Sequence, residues 1–171
     1  MILIFPTQLE ARLFKLYSPE SHVEICGVGM AACAATVARI AADFPDDMLI
    51  LAGIAGTYDS EDIAVGEVVE IVEEEIEELP EMFQVKYRNL PYFSQFRTAI
   101  SNTVSRSGHK AEVAQIENME GAAFFAICQS LGVQHTQIRA ISNRVGEPFA
   151  EWKINEALKA LTDKLIEIVV W

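Results

Sequence analysis

A chain of 171 residues fits one domain, and at this length folding hides roughly 70% of the surface that the unfolded chain exposes. A formal charge of −12 excludes a nucleic-acid backbone as partner, because binding phosphates takes clustered Lys and Arg, and 51% hydrophobic residues exclude a disordered acidic tail. One folded domain over residues 1–171 is expected.

Cys26, Cys33 and Cys128 lie inside apolar runs without metal-type spacing, so buried thiols in a reducing compartment are expected, not disulfides or a metal site. The first residues carry no basic segment, and no apolar run reaches membrane length. The expectation is a cytoplasmic protein with no membrane partner.

Residues 2–5 form a short continuous apolar run stopped by Pro6, which predicts a buried first strand. The Thr7-Gln-Leu-Glu10 pattern that follows is a capping box, with Leu9, Leu13, Leu16 and Phe14 as the helical stripe through Tyr17. Glu10 therefore has two readings, a link to the N-cap amide or a catalytic carboxylate. Residues 22–26 predict a second strand, followed by a glycine turn and an Ala-rich helix ended by Pro45. Gly27-x-Gly29-x-x-Ala32 partly matches a dinucleotide fingerprint, but it follows the second strand, and the next strand ends in Gly53 where that fingerprint wants an acid.

Residues 48–52 predict a buried strand running into a glycine-framed turn, Gly53-Ile-Ala-Gly56, whose small residues leave room for a flat ligand. Residues 63–72 alternate as a strand does, and the acidic run 73–81 reads as a solvated segment. Residues 83–87, 99–104 and 112–116 are further strand candidates, and the aromatic stretch from Tyr92 to Phe96 is too apolar for an isolated loop. A helix is predicted over 121–131 with Gly132 as its stop, then a buried strand over 136–142 ending in Ser142, Asn143 and Arg144. The last helix, 151–170, carries Ile154, Leu158, Leu161, Leu165 and Ile168 on its apolar face.

The stretch most suggestive of chemistry is Glu117-Asn-Met-Glu-Gly121, an acidic turn opening into an apolar helix. A carboxylate at Glu120 meets unpaired N–H groups and the positive end of the helix dipole, so it stays ionised and can accept two hydroxyls, such as the 2′ and 3′ groups of a ribose. Helix capping by Asn118 or Glu117 is the plainer alternative. Ligands of open α/β sheets sit beyond the carboxyl ends of strands, so Asn143 and the Gly53-to-Gly56 turn are expected to share a crevice.

Three blocks in order, Gly27-Val-Gly29 with its Ala-rich helix, Ala52-Gly-Ile-Ala-Gly56 through Val65-Gly-Glu-Val-Val69, and Asn118-Met-Glu-Gly121 through Arg139-Ala-Ile-Ser142, resemble the nucleoside phosphorylase and nucleosidase superfamily. Glu117-Asn-Met-Glu-Gly-Ala-Ala-Phe-Phe125, Ser142-Asn143 and Trp152-Lys-Ile-Asn-Glu-Ala-Leu158 are most similar to its futalosine hydrolase family, which serves menaquinone biosynthesis. The resemblance implies an α/β fold with a mixed central sheet flanked by helices, and hydrolysis of the glycosidic bond of a purine nucleoside, here futalosine, to release hypoxanthine. It implies a homodimer or larger assembly, no cofactor and no metal.

Carried over by position, the resemblance makes Glu10 the activator of water and Asn143 the group at the leaving base. Met119 and Glu120 grip the ribose, while Ala55, Gly56, Asn118 and Ser142 line the base and sugar. Asn143 stands where methylthioadenosine and adenosylhomocysteine nucleosidases carry a proton-donating aspartate. An amide cannot supply that proton, though its NH₂ can donate a hydrogen bond to a purine N7, which suits a 6-oxopurine that leaves as a delocalised anion. The loop from Pro6 to Glu10 lacks the Gly-and-Arg phosphate pattern of the phosphorylases, and Arg12 reads as a surface charge. The chain is also shorter than its relatives, after Ala11 and between Glu73 and Lys110, so a degenerate member that only binds nucleoside stays open beside the hydrolase, the methylthioadenosine-type nucleosidase and the phosphorylase.

Overall fold

The structure, a computed structural model, describes residues 1–108 and 110–169; Val170, placed in the last predicted helix, lies outside the described residues. Strand β1 (Ile2–Phe5) is buried at every position and lies parallel between β2 (Val23–Ile25) and β3 (Leu49–Thr57). The other strands are β4 (Val68–Glu75), β5 (Tyr87–Arg88), β6 (Arg97–Thr103), β7 (Ile116–Asn118) and β8 (His135–Arg144). β3 pairs with β7 on one side and β8 on the other, β8 pairs with β4, β4 with β6, and β6 with β7. The pairing closes on itself. Five strands thus form a small ring of mixed direction, with β2 and β1 extending from β3, and β5 from β4.

Helices α1 (Gln8–Tyr17), α2 (Met30–Asp43), α3 (Gly121–Leu131) and α4 (Ile154–Val169) flank the sheet. α2 and α3 enclose one apolar core around Ile40, Leu51, Phe124 and Phe125, while α1 and α4 enclose another around Phe14, Ile50, Leu161 and Leu165. This is the expected fold class, a mixed central β-sheet flanked by helices. Cys26, Cys33 and Cys128 are buried free thiols.

Several elements depart from the sequence pattern. α1 buries Glu10, Ala11 and Phe14, whereas Leu9 and Leu16 are exposed, because Glu10 is drawn inward by partners in β3 and rotates the predicted stripe outward. Residues 53–56 are strand, not turn: Gly53, Ala55 and Gly56 continue β3 beside β8, with an irregularity in the pairing after Ala55. β4 begins at Val68, not 63, and runs into the acidic segment expected to be solvated. Glu74 and Glu75 of that segment are buried, as is Glu70 just before it, each meeting donors that an outward-facing carboxylate would lack.

Glu70 holds the aromatic loop by accepting from the Tyr92 and Phe93 amides at 2.7 and 3.0 Å, and from Thr136 Oγ1 at 2.5 Å. Phe93 and Phe96 accordingly pack against the core, and Tyr92 keeps an exposed ring. The predicted strand over 112–116 is shifted to Ile116–Asn118, since Glu77 takes up the amides of Glu112, Val113 and Ala114. Of the predicted strand over 83–87, only Tyr87 is in a strand, because Glu81–Phe83 forms a 3-10 turn. β6 starts at Arg97, and the last helix starts at Ile154 after a 3-10 turn over Phe149–Glu151.

The ring is bridged across its middle by polar side chains. Glu74 of β4 accepts from Thr103 Oγ1 of β6 at 2.7 Å, from Asn118 Nδ2 of β7 at 3.0 and 3.1 Å, and from Gln137 Nε2 of β8 at 3.0 Å. Helix α3 begins against this carboxylate through Gly121, where a Cβ would collide with Glu74 Oε2 and sit 2.7 Å from Gln137 Oε1. Gly121→Ala is expected to destabilise the fold by at least about 1–3 kcal/mol, as overpacking of a closed site does. Urea unfolding of both proteins checks this; equal midpoints would contradict it.

Candidate active site

A cavity of about 360 Å³ opens where the ends of β3, β7 and β8 meet the starts of α1 and α3. All eight residues expected to form the site, Glu10, Ala55, Gly56, Asn118, Met119, Glu120, Ser142 and Asn143, line it. Apolar walls come from Val28, Val104, Phe149, Trp152 and Ile154. Among the described lining residues there is no Lys or Arg, and Arg12 is exposed.

Glu10 is placed by a modified capping box. Thr7 caps α1 by accepting from the Glu10 amide, but the Glu10 carboxylate takes the Thr7 hydroxyl at 2.6 Å and the Ile54 amide at 3.1 Å. Burial pushes its carboxyl above the ordinary 4.5, against the lowering effects of Thr7, Ile54 and Arg139. A carboxylate so raised is a stronger proton acceptor near neutral pH.

Glu120 departs from the expected arrangement. It is the N-cap residue of α3, yet its carboxylate makes no cap hydrogen bond there. Asn118 Oδ1 does the capping, accepting from the Glu120 and Gly121 amides at 2.9 and 2.6 Å. Glu120 instead accepts from the Gly29 amide at the start of α2, 3.0 Å away, and from Arg139 Nη2 at 3.2 Å. The glycine turn of the partial dinucleotide pattern, with φ +85° at Gly27 and +88° at Gly29, thus directs an amide to a protein carboxylate. Each Glu120 oxygen keeps one lone pair free of these contacts, the number needed for two vicinal hydroxyls.

Arg139 is the residue that sequence reasoning left without a role. It is 1% exposed, and it donates to Ile54 O at 3.2 Å, Asn118 Oδ1 at 3.0 Å and Glu120. An arginine inside an apolar strand was the available signal, since such a charge is buried only when paired. Glu74, in the run expected to be solvated, and Glu117, a candidate helix cap, are buried as well. Asn118 lines the cavity, but its amide is committed to Glu74, Ser101, Arg139 and the helix start, so it positions Met119 and Glu120.

Asn143 is 2% exposed and held at both ends of its amide, with Oδ1 accepting from Ser142 Oγ at 2.8 Å and Nδ2 donating to Arg144 O at 3.0 Å. Its second N–H remains for a ligand. Gly56 lies beside it; a Cβ at that position would come within 3.0 Å of Asn143 Nδ2.

No model of a known protein family matches the sequence. The futalosine hydrolase of Thermus thermophilus is 32% identical in an alignment covering 79% of this chain and 75% of that protein. The chain belongs to the futalosine hydrolase family. Its fold is that of solved nucleosidases: a methylthioadenosine/adenosylhomocysteine nucleosidase of Helicobacter pylori bound to butyl-thio-DADMe-Immucillin-A superposes with a TM-score of 0.85 at 12% identity, over 98% of this chain and 96% of that one. A futalosine hydrolase mutant of Helicobacter pylori gives 0.79 at 12% identity with the same coverage. The nucleosidase of Colwellia psychrerythraea in complex with adenine gives 0.78 at 18% identity, over 98% and 91%.

In this member of the futalosine hydrolase family the buried Arg139–Glu120 pair has a sharp expected signature. Arg139→Met should cost about 3–5 kcal/mol, because it leaves an uncompensated carboxylate in a closed site. Denaturant unfolding at neutral pH measures the loss, and a change below about 1 kcal/mol would show that Glu120 does not depend on the guanidinium.

Proposed function

We propose that this chain is an N-ribosyl hydrolase that cleaves a purine nucleoside with water, with futalosine as substrate and hypoxanthine as the released base. The observation that carries the reading is the convergence of Glu10, Glu120 and Asn143 on one cavity in a chain related to futalosine hydrolase. Glu10 accepts a proton from water as the water oxygen bonds to C1′ and the C1′–N9 bond breaks, and the bonding electrons leave with the base. Glu120 takes the 2′ and 3′ hydroxyls on its free lone pairs, and Met119 closes over the sugar. Asn143 donates to N7 as charge develops on the purine, while Ala55, Gly56 and Ser142 shape the floor. The absence of a cation among the described lining residues supports water over phosphate as the nucleophile.

The whole of residues 1–171 serves as one shortened nucleosidase domain in this reading, acting in the cytoplasm without metal or cofactor. A homo-oligomer is part of the same proposal, supported by the exposed apolar side chains Met82, Phe83, Val85 and Leu90 on the segment that follows β4. None of the helices among the described residues is long and apolar enough to cross a membrane.

Incubation with futalosine, inosine, methylthioadenosine and aminodeoxyfutalosine, with and without phosphate, tests the reading by free base released. Release without phosphate is expected; phosphate dependence, or no release, would overturn it. Glu10→Gln should lower kcat by ~10²–10⁴ with nucleoside affinity nearly intact, as loss of a general base does. Since Glu10 acts ionised and its pKa is raised, wild-type kcat should fall as pH drops through a value above 4.5; a flat profile down to pH 4 would contradict this assignment. Asn143→Asp should raise turnover of adenine nucleosides relative to hypoxanthine nucleosides, measured as the ratio of kcat/KM values, and an unchanged ratio would remove Asn143 from base recognition.

A further inference from the structure

Three neighbouring strands place Glu117, Gly56 and Asn143 in one row across the floor of the cavity. Gly56 pairs with Glu117 of β7 on one side and with Asn143 of β8 on the other. Residues paired across adjacent strands present their side chains to the same face of the sheet, so the carboxylate and the amide stand on either side of a position that has no side chain. Two strand spacings separate their backbones by roughly 10 Å. A purine held by a hydrogen bond of about 2.9 Å at each of two edges fills a span of that order. A side chain at position 56 would close the slot, since its Cβ would already crowd Asn143 Nδ2.

Glu117 is 4% exposed and lines the cavity. Its Oε1 accepts from Ser107 Oγ at 2.5 Å and the Gly108 amide at 3.1 Å, and its Oε2 accepts from Tyr58 OH at 3.1 Å. A carboxylate offers about four acceptor positions, so one remains, on Oε2. Among the described residues no cation pairs with Glu117, which leaves a buried carboxylate facing a cavity with an unused acceptor.

We propose that Glu117 is a specificity residue that accepts the N1–H of a 6-oxopurine across Gly56 from Asn143, and so selects hypoxanthine over adenine. This rests on the nucleosidase reading for the ring's placement and extends it to the far edge of the base. In hypoxanthine N1 carries a proton and donates; in adenine N1 is a lone pair, which in the same pose would face the carboxylate. A hydrogen bond to a charged group corresponds to roughly 10–10²-fold in affinity, and the repulsion adds to the discrimination.

The test is equilibrium binding of the free bases by calorimetry, which needs no turnover. The wild type is expected to bind hypoxanthine at least ~10-fold more tightly than adenine and than 1-methylhypoxanthine, which lacks the N1 proton. Glu117→Gln keeps the shape and can turn an NH₂ toward adenine N1, so the hypoxanthine-to-adenine ratio should fall by ~10-fold or more in a variant whose circular dichroism matches the wild type. An unchanged ratio in that folded variant overturns the proposal. If the variant does not fold, the wild type decides: equal affinity for hypoxanthine and 1-methylhypoxanthine, or no binding of hypoxanthine, overturns it. A protein that releases no base from any nucleoside but shows this preference would sink hydrolysis and keep Glu117 as the base reader. Intact hydrolysis without the preference does the reverse.

Discussion

The pairing of Arg139 with Glu120 in the closed centre of the strand ring is the constraint from which the rest of the site follows. Glu120 is 3% exposed, and a carboxylate taken that far from water is costly unless it is paired. Arg139 supplies that pairing, and it is itself tolerated only because β3, β7 and the turn before α3 each give it an oxygen. Its path explains Gly53 as well, where a Cβ would fall 2.7 Å from Arg139 Nη1 and 2.9 Å from Glu10 Oε1. One glycine therefore lets the cation lie between the two carboxylates that the proposed chemistry uses.

Glu74 is the second buried carboxylate of this network. Among the described residues no guanidinium hydrogen-bonds to it, and burial pushes its carboxyl up to about 7, against the lowering effects of Thr103, Arg139, Gln137 and Asn118. Asn118 links the two carboxylates: its NH₂ faces Glu74, and its oxygen faces Arg139 and the amides that open α3. The position of the Met119–Glu120 turn is thus coupled through one amide to the polar filling of the ring. Among the described residues Gln137 Oε1 and Arg139 Nε find no hydrogen-bond partner, so it is the Asn118 amide, bonded at both ends, that fixes the start of α3.

Much of the framework was legible locally. The α3 boundaries followed from an apolar run bounded by Gly121 and Gly132, and α2 from an Ala-rich segment stopped before Pro45. The eight expected site residues line one cavity. Elements shaped by buried acids were not legible. Glu74 and Glu77 sit in a run that composition alone assigns to solvent, with Glu70 in the strand just before it, and each takes donors tens of residues away in sequence.

By itself the sequence determined the alternation of strands and helices, the capped start of α1 and the glycine-bounded ends of α3, because periodicity, caps and glycine stops act over a few residues. Only the tertiary structure decided which oxygens those carboxylates expose, that Leu9 and Leu16 face outward while Glu10 faces in, and that Glu117, Gly56 and Asn143 form one row. The reason is electrostatic and non-local. A buried charge takes its orientation from whichever distant amides, hydroxyls and guanidinium the folded chain brings to it, and no window along the sequence contains them.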